Sequence, residues 1–129
     1  MFDFFTTISA SRAANLSPVT LAFVGDAVYS LYVRERLVLS TDFKTGELQK
    51  LTSQEVSAHG QSLLLDKLQP LFTEEENEIF RRGRNAKKAT KSKNASVAEY
   101  NRSTGFEAVL GYLYLTGNYK RIDELLNCI

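Results

Sequence analysis

The 129-residue chain has one cysteine, one histidine, one methionine, two prolines and no tryptophan, and each scarcity removes something. Cys128, next to the carboxyl end, has no second cysteine to pair with, which suits a reducing compartment. With His59 as the only histidine beside that one cysteine, the ligand set of a structural zinc site is missing. No apolar run nears the roughly 20 residues of a spanning helix, and MFDFFTTISASR carries an acid where a signal peptide carries basic residues. The expectation is an intracellular, cytoplasmic protein with no membrane contact. Net charge is only +1, so the total gives no sign of a polyanionic partner.

What is present is ordinary for a globular protein, 43% hydrophobic and 24% charged, and the length is that of one domain, expected over residues 1–129. Few prolines, no strand-like alternation and apolar spacings of three and four predict an all-α fold. Ser17-Pro18 is an N-cap followed by a ring already at the helical φ, so a helix is expected from Pro18 to about Val38. Leu48, Leu51 and Val56 mark a second helix over Gly46 to Ser57, and GQSLLLDKLQP a third, ended by Pro70. Thr73 and Glu76 form a capping box opening TEEENEIFRRG, with Gly83 as its expected C-cap and a basic loop beyond. A second box, Ser96 with Glu99, opens a long, largely buried helix that stops at Gly117-Asn118, and a short last helix covers Tyr119 to Asn127.

Two of these greasy helices each carry one misplaced acid: Asp26 in LAFVGDAVYSLYV and Glu107 in FEAVLGYLYL. A buried, unpaired carboxylate costs several kcal/mol, so each must be neutralised, paired with a cation or bound to a metal. Asp26 pairing with Arg34, Arg36 or a basic group from another helix satisfies that demand, as does Glu107 serving as the fourth residue of a Thr104 capping box. A third solution uses the small residues around both acids, namely Ala22, Gly25, Ala27 and Ser30 on one helix and Ser103, Thr104, Ala108 and Gly111 on the other. If the helices cross there, the carboxylates converge on one hard cation. Mg2+ commonly takes only one or two protein carboxylates and fills the rest of its octahedron with water and substrate phosphate.

The two motifs together resemble those of the ribonuclease III family. LAFVGDAVYSLYV is similar to its signature, in which an acid ends a phenylalanine-aliphatic-glycine-aspartate run, and STGFEAVLGYLYL is similar to its second acidic motif. Asp26 and Glu107 match the metal-binding aspartate and glutamate of those motifs. Ala22 stands where the larger family usually has a glutamate, and Thr104 where it usually has an aspartate, leaving two acids where four are usual. Those departures, the phrase RRGRNAK and the lack of residues for a double-stranded RNA-binding domain resemble the Mini-III branch. From about Ser17 to Leu126, the resemblance implies a homodimeric endonuclease that cuts double-stranded RNA with Mg2+, with Mn2+ able to substitute. It further implies a role in maturing precursor large-subunit ribosomal RNA and leaves room for a helper ribosomal protein. A catalytically inactive RNA-binding protein on the same fold is the alternative.

Charge is unevenly distributed: RRGRNAKKATKSK follows the acidic TEEENE, with no further acid until Glu99. In a nuclease, Arg82, Arg84, Asn85, Lys87, Lys88, Lys91 and Lys93 are expected to grip duplex phosphates; otherwise the stretch is a solvated counterweight to the acids before it. Apolar residues on more than one side of the first long helix are more than a small monomer easily covers, and a second copy is the expected cover.

Overall fold

The computed structural model describes residues 6–87 and 96–127. Among them all regular structure is helical: α1 (Ala10–Ala14), α2 (Pro18–Ser40), α3 (Thr45–Val56), α4 (Ala58–Leu68), α5 (Glu74–Asn85), α6 (Val97–Leu115) and α7 (Tyr119–Leu126), with a 3-10 turn at Gln69–Leu71 carrying Pro70. Two of the expected helix starts are capped as the sequence places them, while of the Ser96/Glu99 box only the Ser96 half is seen, Ser96 accepting from the Glu99 N–H. Ser17 accepts from the Val19 N–H, and Thr73 and Glu76 close a reciprocal capping box. Ser57 both ends α3 and caps α4 by accepting from the Gly60 N–H.

Helix α6 is the centre of the core: every residue from Ser103 to Leu113 is buried except Glu107, which is half-buried. α2, α4 and α5 pack around it, and Phe106 meets Tyr29 of α2 edge-to-face at 5.3 Å between ring centroids. α7 is fastened by a buried ion pair. Arg121 donates from Nε to Glu76 Oε2 and from Nη2 to Glu76 Oε1, both at 2.9 Å, and also reaches the Leu71 carbonyl.

Three departures from the sequence reading have physical causes. The short α1 was not anticipated, because five residues carry too little periodicity to read. Helix α5 runs on through Gly83 to Asn85. Gly83 therefore is no C-cap but a packing position: a Cβ there would stand 2.8 Å from the Gly105 Cα. Asp26, expected among buried residues, is exposed, and so are Phe23 and Leu31 at 81% and 61%.

Candidate active site

The site begins with the crossing of α2 and α6. A Cβ on Gly25 would lie 1.7 Å from the Glu107 carbonyl oxygen, and one on Gly111 would lie 1.9 Å from the Leu21 carbonyl oxygen. Only glycine lets the two backbones touch in this way. Asp26 follows Gly25, so the same contact that joins the helices sets its side chain beside Glu107.

There the Asp26 carboxyl lies close enough to that of Glu107 to act on it electrostatically. Burial, reinforced by the neighbouring Asp26 and opposed by a hydrogen bond from Gln61, pushes the Glu107 carboxyl up to about 8. A carboxyl kept protonated beside a second acid marks a place where a cation can stand in for the proton. The donor set fits a hard, strongly hydrated ion such as Mg2+: two carboxylates, with no group of three or more His, Cys, Asp or Glu gathered among the described residues.

The simpler explanations for both acids fall away. Arg34 donates from Nε to Ser30 Oγ at 3.3 Å, and Arg36 pairs with Glu55, so neither serves Asp26. Glu107 and Thr104 both lie well inside α6, and the Thr104 hydroxyl donates to the Tyr100 carbonyl at 3.1 Å, so no capping box exists there. Ala22 is buried and Thr104 faces back into its own helix, so neither position replaces the acid usual in the family.

Gln61 of α4 was missed in the sequence. Its one legible signal is a polar amide in an otherwise apolar stripe, GQSLLL, and it lies 2% exposed with Nε2 donating to Glu107 Oε2 at 3.1 Å. Close by, Arg102 donates to Ser62 Oγ at 2.6 Å and Asp66 Oδ1 at 2.7 Å, binding α6 to α4. His59 holds Glu99 at 2.6 Å, where α6 begins.

The basic residues divide. Arg82 is half-buried, with Nη1 donating to the Ala14 carbonyl at 3.0 Å and Nη2 to that of Leu16 at 3.4 Å; it ties α5 to the end of α1. Arg84 lies with its guanidinium 5.6 Å from the centre of the Phe80 ring and its Nε donating to Asn85 Oδ1. Arg84 and Asn85 are exposed in the last turn of α5, and Lys87 is exposed just beyond it. Lys88, Lys91 and Lys93 lie outside the described residues.

Comparison with known proteins gives this geometry its context. The model of the Ribonuclease III domain matches residues 19–118. Mini-ribonuclease 3 of Symbiobacterium thermophilum is 46% identical over 118 residues, covering 89% of this chain and 91% of that protein. Mini-ribonuclease 3 of Staphylococcus aureus is also 46% identical, over 116 residues, covering 88% and 87%. A crystal structure of a protein from Fusobacterium nucleatum superposes with a TM-score of 0.81 at 32% identity, covering 88% of this chain and 92% of that one. The chain belongs to the ribonuclease III family, with its similarity lying in the Mini-ribonuclease 3 branch.

Proposed function

We propose that the endoribonuclease activity this chain carries as a ribonuclease III domain is centred on Asp26 and Glu107, which hold Mg2+ against a phosphodiester of double-stranded RNA. The family is generally dependent on a divalent metal. The observation that carries the assignment is the closeness of the two carboxyl groups at the glycine-mediated crossing of α2 and α6. When bound, such an ion polarises the phosphate, neutralises developing negative charge and makes a water more acidic. Asp26, exposed on α2, faces solvent where the duplex arrives, while Glu107, held by the core, fixes depth.

The natural substrate on this reading is precursor large-subunit ribosomal RNA in the cytoplasm. Among the described residues no helix is long and apolar enough to cross a membrane. Arg84, Asn85 and Lys87, continued by Lys88, Lys91 and Lys93, supply the phosphate contacts; the Arg82 guanidinium is committed to backbone carbonyls and supports the others from behind.

A homodimer completes the proposal. Phe23, Val24, Ala27, Val28 and Leu31 of α2, with Tyr114 and Tyr119, line an apolar groove of about 680 Å³ that Asp26 also lines. A second copy seated there covers the exposed Phe23 and Leu31 and sets two sites side by side, one for each RNA strand.

The test is cleavage of labelled duplex RNA by Asp26→Asn and Glu107→Gln variants in Mg2+. Each is expected to stay folded and lose at least about a hundredfold in rate, as removal of a metal ligand demands. Unchanged cleavage in both variants discards the assignment.

A further inference from the structure

Glu107 reaches the site through three rotatable bonds from a helix otherwise locked in the core, so something must select its rotamer. Gln61 makes that selection. Its side-chain Nε2 donates one hydrogen to the Val56 carbonyl at 2.9 Å and the other to Glu107 Oε2 at 3.1 Å. The Val56 carbonyl can only accept, so the amide cannot be turned end for end, and its orientation is fixed by the end of α3.

This arrangement has a cost. Gln61 Oε1 is buried with no hydrogen-bond partner in the protein, a deficit that an apolar residue of similar size would avoid. Packing alone gives no reason to keep an amide there. Its two donor bonds give one: they anchor a carboxylate on a crossing helix to a fixed backbone atom.

We propose that Gln61 is the positioning residue of the cation site, holding the Glu107 carboxylate so that its remaining lone pairs face Asp26. The inference rests on the reading of Asp26 and Glu107 as metal ligands. Groups one step behind a ligand typically alter metal affinity or activity by about 10–100-fold when removed.

The test compares Mn2+ binding by the full-length parent and the Gln61→Met variant, followed by loss of the free-ion electron paramagnetic resonance signal. Gln61→Met keeps the side-chain length and removes the donors. It is expected to bind Mn2+ about 10–100-fold more weakly, and its cleavage of duplex RNA to need correspondingly more Mg2+ to reach half its maximal rate. Leu68→Ala, which weakens the buried face of the same helix without removing the amide, is expected to keep parental Mn2+ affinity. Gln61→Met binding within twofold of the parent overturns the proposal and leaves the metal site standing. A parent that binds no Mn2+ overturns both.

Should Gln61→Met fail to fold, the side-chain amide resonances of Gln61 in the unmutated protein decide. They are expected to shift on Mg2+ addition with the midpoint of metal binding, and signals that stay fixed overturn the proposal.

Discussion

Gly25 and Glu107 touch through their backbones: a methyl group on the first would stand 1.7 Å from the carbonyl oxygen of the second. The crossing that builds the core is thus also the crossing that builds the site. A Gly25→Ala variant is expected to lose about 3 kcal/mol or more of stability, beyond ordinary overpacking because the obstacle is backbone. Urea denaturation measures the loss. Duplex cleavage should fall with it even where the variant remains folded, because Asp26 is displaced from Glu107.

Metal-free protein should become less stable as pH rises. Glu107 carries a folded-state value of about 8 against an ordinary 4.5, so the folded chain holds a proton that the unfolded chain releases. That contribution is complete below about 4.5 and is lost as pH climbs through about 8. Its size is about 3 kcal/mol, reduced from the full linkage because the group is only half-buried. Thermal melts from pH 5 to 9 should show the decline, Glu107→Gln should flatten it, and Mg2+ should restore stability at the alkaline end.

The acid limb belongs to a different pair. Burial alone would raise the Glu76 carboxyl, but the bonds from Arg121 and from the Thr73 backbone hold it below its ordinary value. Stability from this pair is therefore present above pH 4.5 and lost as pH falls further. An Arg121→Met variant is expected to lose about 3 kcal/mol at neutral pH, by leaving a buried carboxylate unpaired, and to lose less near pH 3.

Phe23→Asp tests the apolar face. Phe23 is 81% exposed in the single chain, so the substitution leaves the core intact while placing a charge in the proposed subunit contact. Sedimentation is expected to change from dimer to monomer with the helical circular dichroism unaltered. A parent that sediments as a monomer removes the dimer.

Replacing Lys87, Lys88 and Lys91 by alanine should weaken duplex binding at all sequences alike and lower the slope of log affinity against log salt by about one per lost phosphate contact. Binding titrations at several salt concentrations read the slope. An unchanged slope removes this segment from the RNA interface.

Much of the fold was legible because its punctuation is local. Ser17-Pro18 and the Thr73/Glu76 box each act within three residues, so their effect survives folding unchanged. Gly83 misled for the opposite reason: its meaning comes from Gly105, on another helix, and nothing adjacent announces that approach. The two acids were visible as charges in apolar runs, and the small residues around them pointed to a crossing. Gln61 stayed hidden because a glutamine in a helix is commonplace until its partners across space are known. Asp26 was expected inside because α2 is apolar all round, and α6 covers only part of that circumference.

Ala22 and Thr104 contribute no carboxylate, so under the proposed assignment most of a cation's coordination shell would fall to water and to the nucleic acid itself. Such an ion is a shared possession of protein and substrate. On that proposal each would raise the other's affinity by the same factor, so that the duplex itself would arm the enzyme that is to cut it.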